Sequence, residues 1–145
     1  MEEKYKNGDY NRFSNRVYSK DELELSKKLH ELFNPTLILN EDIFYGEKQF
    51  IIYIKDIQRT LAYDFKYNNK IIEYNGDYWH CNPKYYEEDY FHKFKQCFAG
   101  DIWKEDKIKK EAIERLGYDV KIVWEDDYLT NKEKVIEECL EFLKN

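Results

Sequence analysis

The sequence predicts a single α/β domain whose elements follow the order α-β-β-β-α-β-α. A length of 145 residues leaves room for one compact core. Apolar residues make up 42% of the chain while glycine and proline are scarce, which excludes a disordered or collagen-like chain. Segments with helical spacing of apolar residues alternate with short β-rich segments. We therefore expect one domain over residues 19–145, preceded by a polar N-terminal extension over residues 1–18.

The first helix is predicted over residues 19–33. Ser19 and Glu22 form a capping box, in which each side chain accepts a hydrogen bond from the backbone N–H of the other residue. Apolar residues then recur at helical spacing until Asn34-Pro35 ends the pattern. These apolar residues are Leu25, Leu29, Leu32 and Phe33.

Three β-strands are predicted next. Residues 49–54, 60–65 and 70–75 are rich in β-branched and aromatic side chains. The Asn-Asn pair at 68–69 has the composition of a tight hairpin turn between the second and third strands. Residues 76–100 follow as a long aromatic loop, and a loop of this length inside a compact domain is usually functional.

The last third of the chain predicts a helix, a strand and a final helix. The helix covers residues 101–116 and ends at Gly117, the strand covers residues 118–124, and a second capping box at Thr130 and Glu133 opens the final helix. The residues predicted to face the core are Ile108, Ala112, Ile113 and Leu116 in the second helix, and Val135, Ile136, Cys139, Leu140 and Leu143 in the last.

Charge is distributed unevenly along the chain. The net charge is −6, but residues 21–47 and residues 125–145 each hold seven acidic side chains against two and three basic ones, so the remainder is positive. Within that remainder, a cluster of lysines on the predicted second helix is expected to contact a nucleic-acid backbone. A solvated helix face is the alternative interpretation of this cluster. Its members are Lys104, Lys107, Lys109 and Lys110.

Composition also predicts a cytoplasmic protein. No stretch approaches the about 18 consecutive apolar residues that cross a bilayer, and the first residues lack the apolar region of a signal peptide. Three cysteines are too few for a closed disulfide framework, which fits a reducing compartment. Enrichment in Lys, Ile, Asn and Tyr points to an A/T-rich genome, so a bacterial or phage-infected host cell is the expected setting.

Two carboxylates stand out on the predicted hairpin. Asp64 and Glu73 are placed on neighbouring strands, so their side chains can converge at one end of the sheet. Two such carboxylates repel each other unless a cation lies between them, and oxygen ligands with retained water suit Mg²⁺. Glu73 also follows two isoleucines in a strand that looks buried, which makes a purely solvated role less favourable. The pair therefore predicts a metal site suited to phosphodiester chemistry.

The block from Tyr63 to Phe65, followed by residues 71–80 with the sequence Ile-Ile-Glu-Tyr-Asn-Gly-Asp-Tyr-Trp-His, resembles a known nuclease family. The chain is similar to the PD-(D/E)xK restriction-endonuclease-like superfamily, and most of all to very-short-patch-repair endonucleases and to homing endonucleases with a Glu-Asp-His-Asp constellation. The resemblance covers about residues 19–130. It implies a restriction-endonuclease-like core, α-β-β-β-α-β with an additional C-terminal helix, in which helices flank a mixed central sheet.

The resemblance assigns roles to individual residues. Asp64, Glu73 and the backbone carbonyl of Tyr74 would hold Mg²⁺, for which Mn²⁺ is expected to substitute. His80, the last residue of a Gly-x-x-Trp-His element, would assist the attacking water or the scissile phosphate, which suits an imidazole with a pKa near neutral. Asp106, 11 residues before Gly117, would orient His80.

Two assigned positions have an alternative explanation, and a third departs from the family. Glu22 matches the acidic residue of the family's first helix, but the capping box also explains it. Asp106 has Lys109 and Lys110 as ready helix partners. Asn75 departs from the family, which has lysine or histidine there, because an asparagine can orient a water or a phosphate oxygen but supplies neither charge nor a proton.

A structural zinc site is an alternative for the loop, since repair-type relatives carry one in this region. His80, Cys81, His92 and Cys97 supply the ligand types, but their spacing matches no standard finger and contains no Cys-x-x-Cys. A His80 bound to zinc could not also serve catalysis. The spacing therefore favours catalytic use of His80.

The predicted function is a Mg²⁺-dependent DNA endonuclease that leaves a 5′-phosphate and cuts one strand or both. The first alternative is a nucleic-acid-binding module on the same fold that has lost catalysis, with Asn75 as the first sign. The second is a nuclease for branched DNA of the resolvase type. DNA is the expected partner, and a homodimer or an accessory specificity protein would extend recognition beyond so short a core.

Overall fold

The computed structural model describes residues 18–145, so residues 1–17 of the predicted extension lie outside the described part of the chain. The elements in chain order are α1 (Lys20–Phe33), β1 (Ile43–Ile54), a 3-10 turn (Lys55–Ile57), β2 (Arg59–Tyr67), β3 (Lys70–Asn75), β4 (Phe91–His92), β5 (Cys97–Phe98), α2 (Ala99–Glu114), β6 (Asp119–Trp124), α3 (Glu125–Thr130) and α4 (Lys132–Lys144).

Four strands form one mixed sheet in the order β1-β2-β3-β6. The first three are antiparallel neighbours, whereas β6 runs parallel to β3, as expected of a strand reached through a helical crossover. Strands β4 and β5 pair with each other in a separate two-stranded ribbon. The predicted α/β class is confirmed, and the ribbon and α3 are additions to the predicted order.

Neighbouring residues of β3 point to opposite faces of the sheet, and all of them are buried. Helices therefore cover both faces. Ile72 and Tyr74 pack with α1, α3 and α4 in the larger apolar core. Ile71 points to the other face and packs with Ala112 and Ile113 of α2. The sheet is therefore the middle layer. The helix α2 lies over the face that carries Ile71 and the smaller core.

Only two of the four residues predicted to face the core from the second helix are buried. Ala112 and Ile113 are buried as expected, but Ile108 and Leu116 are 39% and 49% exposed. The side of α2 that faces the sheet passes through Asp106, Lys109 and Ile113, at helical spacings of three and four. Two charged residues occupy this face, so a search for apolar periodicity places the stripe in the wrong register.

Smaller corrections concern two other helices and the first strand. Leu32 of α1 is 52% exposed. The cap of α4 is Asn131, whose side chain accepts a hydrogen bond from Lys134 N–H at 3.2 Å, while Thr130 is the last residue of α3. Strand β1 begins six residues before the predicted start, and its pairing with β2 is interrupted by a register shift between Tyr45 and Phe50.

Asn68 of the β2–β3 connection has φ +50°, which agrees with the predicted hairpin turn. No helix between residues 18 and 145 has the length and apolar character to span a membrane.

Gly46 lies at the irregular part of β1 and provides a test of the packing of α1 on the sheet. Its φ is +62°, and a Cβ added there would lie 3.2 Å from Leu23 Cδ1. Gly117 also has a positive φ, +97°, but a Cβ there would meet nothing within 4 Å. A side chain in left-handed backbone costs about 1–2 kcal/mol. We expect Gly46→Ala to lower the free energy of unfolding by about 2 kcal/mol, more than Gly117→Ala, in urea titrations. A loss for Gly46→Ala no larger than that for Gly117→Ala would contradict this expectation.

Candidate active site

The site is built where strands β2 and β3 separate. Their ladder runs from Tyr67 opposite Lys70 to Phe65 opposite Ile72, and Asp64 and Glu73 come next. Side chains replace the ladder at this point. The Asp64 N–H donates to Glu73 Oε1 at 2.9 Å, and the Tyr74 N–H donates to Asp64 Oδ2 at 2.8 Å. The hairpin therefore brings the two predicted carboxylates together.

A lysine from the helix above completes this group. Glu73 is 8% exposed, and its Oε2 lies 3.0 Å from Lys109 Nζ. The same ammonium lies 4.8 Å from the centre of the Tyr63 ring, and the Tyr63 hydroxyl donates to the Lys109 carbonyl at 2.8 Å. Tyr63 thus fixes both ends of Lys109, which leaves its charge directed at the carboxylates.

The charges of this group oppose one another. Burial raises the pKa of Glu73, and repulsion from Asp64 raises it further, while Lys109 acts in the other direction. Burial alone would lower the pKa of Lys109, but attraction to Glu73 and Asp64 outweighs burial and raises that pKa above its usual value. Lys109 is therefore a permanent cation beside two carboxyl groups.

A cavity of about 20 Å³ lies against this group, with room for roughly one water molecule. Glu73 and Asn75 reach it together because alternate residues of β3 face the same side of the sheet. Asn75 is 6% exposed and lines this cavity. Asp106 and Lys109 line the cavity from α2.

The predicted histidine and its partner form the second half of the site. His80 Nδ1 lies 2.8 Å from Asp106 Oδ2, and both side chains are about two-thirds buried. Since an ionised carboxylate only accepts, Nδ1 donates and Nε2 of the neutral ring is left as the acceptor. Asp106 also lines the cavity beside Glu73 and Lys109, so it joins the two halves of the site.

The structure divides the four predicted DNA-binding lysines. Lys109 belongs to the carboxylate group described above. Lys110 lies 2.9 Å from Glu114 and Lys107 lies 4.0 Å from Glu111, which are helix pairs one turn apart. Lys104 is exposed in a depression whose other charged members are Glu87, Glu88, Asp89 and Asp101. Lys109 and Lys110 both line the cavity of the site, and binding of DNA by the four lysines stays a prediction.

Two further predicted residues lie on the opposite layer or at its edge. Glu22 is 7% exposed in the first turn of α1, and its N–H donates to Ser19 Oγ at 3.1 Å, which is one of the two hydrogen bonds of the predicted capping box. The Tyr74 ring packs against Tyr128 on the face away from α2. A catalytic role for Glu22 and metal binding by the Tyr74 carbonyl stay predictions.

The zinc alternative gains no ligand group among residues 18–145. His80 directs Nδ1 to Asp106, and fully buried His92 accepts the Lys95 N–H on its Nδ1 at 3.0 Å. Within the described residues, no three His, Cys, Asp or Glu side chains are arranged to hold a metal ion. A metal at the site would therefore depend on fewer side-chain ligands.

The carboxylate pair fits such a metal. Mg²⁺ is usually bound by one or two carboxylates and keeps several of its waters, so it needs no third acidic side chain. Asp64 and Glu73 supply hard oxygen donors, and Lys109 balances only one of their two negative charges when both are ionised. The chemistry of the donor set is therefore compatible with a bound Mg²⁺ or Mn²⁺.

No match is found when the chain is compared with protein-family models, with curated proteins or with solved structures. Function must therefore be argued from the chemistry of the site itself.

Proposed function

We propose that this protein is a Mg²⁺-dependent DNA endonuclease on a restriction-endonuclease-like core. The observation that carries the proposal is the shared cavity, which joins the Asp64–Glu73–Lys109 group to the Asp106–His80 pair. Paired carboxylates with a cation and a histidine oriented by an aspartate suit hydrolysis of a phosphodiester. The sheet agrees with the fold proposed, because a three-stranded meander is followed by a helix and a parallel strand.

Asp64 and Glu73, with the Tyr74 carbonyl, would hold the metal, and Mn²⁺ would substitute for Mg²⁺. When bound, the metal supplies Lewis acidity, which lowers the pKa of a coordinated water and stabilises charge on the phosphate and the leaving oxygen. The remaining contributions belong to the side chains of this chain.

His80 acts as the general base. Its Nδ1–H donates to Asp106, which leaves Nε2 able to accept the proton of the attacking water. The negative charge of Asp106 then stabilises the imidazolium and keeps the ring in one orientation. As the water oxygen bonds to phosphorus, the P–O3′ bond breaks and the phosphate remains on the 5′ end. The 3′ oxygen takes its proton from a solvent water, and the imidazolium returns its proton to solvent.

Lys109 supplies the charge that Asn75 lacks. The family has lysine or histidine at the position of Asn75, and here a cation reaches the same cavity from α2. An ammonium held beside the carboxylates can stabilise the negative charge that develops on the phosphate oxygens. The Asn75 amide lines the same cavity and can orient a water or a phosphate oxygen.

The acidic net charge is compatible with DNA binding. Most of the acidic residues of the two negative stretches lie on α1, α3 and α4, which cover the face of the sheet opposite to α2. A duplex that approached the α2 side would therefore avoid most of that negative charge, with Glu125 and Asp126 as the exceptions because they contact Asp77 in the loop before His80.

The test is cleavage of supercoiled plasmid with Mg²⁺ or Mn²⁺. The assay is run at low salt because phosphate contacts are strongest there. We expect nicked or linear product from the wild type and a rate about 100-fold lower or more for His80→Gln, because a general base typically contributes that much. His30→Gln is the matched control, since His30 bonds Tyr45 and the Leu37 carbonyl outside the site.

Absence of metal-dependent product from the folded wild type would contradict the nuclease proposal and favour the binding module. Equal rates for the two histidine variants would remove His80 from the mechanism. Competition by four-way or flap DNA against linear duplex separates a branched-DNA nuclease from one that acts on duplex.

A further inference from the structure

His80 lies in an irregular loop, so no helix or sheet ladder fixes its backbone. Its N–H donates to the Gly76 carbonyl at 3.0 Å within a local turn. A base that must meet a water at hydrogen-bond distance needs a closely defined position. The contacts made by the residues on either side of His80 therefore decide how well the imidazole is placed.

The residue before His80 is held by a lysine from the ribbon. Lys95 Nζ donates to the Trp79 carbonyl at 2.5 Å, across 16 residues of sequence. Lys95 lies in the turn between β4 and β5. Loss of water around its ammonium lowers the pKa of Lys95, and attraction to Asp106 opposes this change. The ammonium is thus close enough to interact with the carboxylate that orients His80.

The residue after His80 is held by a tryptophan from α2. Trp103 Nε1–H donates to the Cys81 carbonyl at 2.8 Å. Cys81 has φ +48°, a left-handed conformation that a cysteine adopts only when its surroundings impose it. Cys81 is also fully buried, in a small apolar cluster with Ala99 and Ile102. Trp103 lies three residues before Asp106, so one helix face carries both contacts.

We propose that Lys95 and Trp103 are positioning residues that place His80 by holding the carbonyl groups of the residues on either side of it. This inference rests on the proposed function, in which His80 is the general base. Two elements make three contacts with the tripeptide 79–81: the ribbon through Lys95, and α2 through both Trp103 and Asp106. Displacement of a reacting group by about 1 Å can cost about 100-fold in rate.

The alternative is that the two contacts stabilise the loop without affecting His80. The two roles predict different measurements. Loss of stability alone would lower the midpoint of unfolding but leave the cleavage rate unchanged at temperatures where the variant is folded. A positioning role lowers kcat with little change in KM, and it alters the magnetic environment of the His80 ring.

The test compares Lys95→Met and Trp103→Phe with Lys93→Met, which makes the same change at another exposed lysine of the same turn. Nitrogen-15 spectra of the ring are recorded on the full chain without DNA or metal, and the His80→Gln variant assigns the signals. We expect the His80 Nδ1 resonance to shift in both test variants and to stay in place in the control. In the plasmid assay, kcat should fall about 10- to 100-fold with KM within about twofold.

Lys95→Arg, which keeps the charge and N–H donors, should recover most of the lost rate. Unchanged His80 resonances in folded Lys95→Met and Trp103→Phe overturn the inference whatever the nuclease assay gives. If one of the two variants does not fold, the other decides in the same way. If the wild type cuts no DNA, the proposed function fails, while the spectra still test the positioning of His80.

Discussion

Asp64→Asn is expected to lower metal-dependent DNA cleavage by at least about 1,000-fold, to the background seen in a chelator. A catalytic metal contributes several kcal/mol to the reaction, and each 1.4 kcal/mol corresponds to a factor of ten. Asparagine is a neutral, weaker ligand, so the site loses one of its two carboxylates. The fold should survive, because the asparagine oxygen can still accept the Tyr74 N–H that Asp64 Oδ2 accepts.

The matched control for this prediction is Asp56→Asn. Asp56 is half-exposed and lies 3.3 Å from Arg115 on the surface, so the same chemical change there should leave the cleavage rate within about twofold. Excess Mg²⁺ or Mn²⁺ should restore the chelated wild type but not Asp64→Asn. Cleavage by Asp64→Asn at the rate of Asp56→Asn would show that Asp64 does not support the reaction.

The second large effect concerns stability. Lys109→Met is expected to lower the free energy of unfolding at pH 7 by about 3–5 kcal/mol, the usual cost of leaving one member of a buried ion pair without its partner. Glu73 has a side chain only 11% exposed, so little water can reach it to replace the ammonium. Urea unfolding of Lys109→Met and wild type measures the difference.

The loss should depend on pH in a direction set by Glu73. Without Lys109, burial and Asp64 raise the pKa of Glu73 in the folded protein even further above its unfolded value. A carboxyl group with a raised folded pKa costs stability above its unfolded pKa, about 4.3, and the cost vanishes below that value. The difference between Lys109→Met and wild type should therefore be larger at pH 7 than at pH 5 and shrink further as the pH falls towards 4.

Two variants make this prediction specific. The double variant Lys109→Met/Glu73→Gln removes the charge that was left behind, and it should recover most of the lost stability. Lys107→Met removes a lysine whose side chain is 74% exposed, and it should stay within about 0.5 kcal/mol of the wild type. A loss for Lys109→Met that is the same at pH 4 and pH 7 would contradict the ion-pair explanation.

Much of the fold could be predicted because its signals are local. The cap at Ser19, the turn at Asn68 and the strand over residues 70–75 all follow from side chains within a few positions of one another, and the structure confirms each of them. The meeting of Asp64 with Glu73 followed from the same hairpin. The contact of His80 with Asp106 spans 26 residues and followed only from the family resemblance.

The role of Lys109 was missed because the inward face of α2 carries charge. Asp106 and Lys109 precede Ile113 on that face, so the periodicity of apolar residues is lost where the site begins. The signal that could have found Lys109 is its spacing of three residues from Asp106, combined with the missing charge at Asn75. The contact of Lys95 with the Trp79 carbonyl joins two irregular segments, and no sequence period predicts it.

The separation of β2 and β3 at the site gives two backbone N–H groups hydrogen-bond partners that a strand does not usually provide. The N–H groups of Asp64 and Tyr74 are bonded to carboxylate side chains instead of to strand carbonyls. Their hydrogen exchange with solvent therefore reports on the carboxylates, whereas the neighbouring ladder protons report on the sheet. The exchange rates of these two backbone amides should therefore change with the charge on the carboxylates and with the binding of a ligand to them, and no probe needs to be attached to the protein.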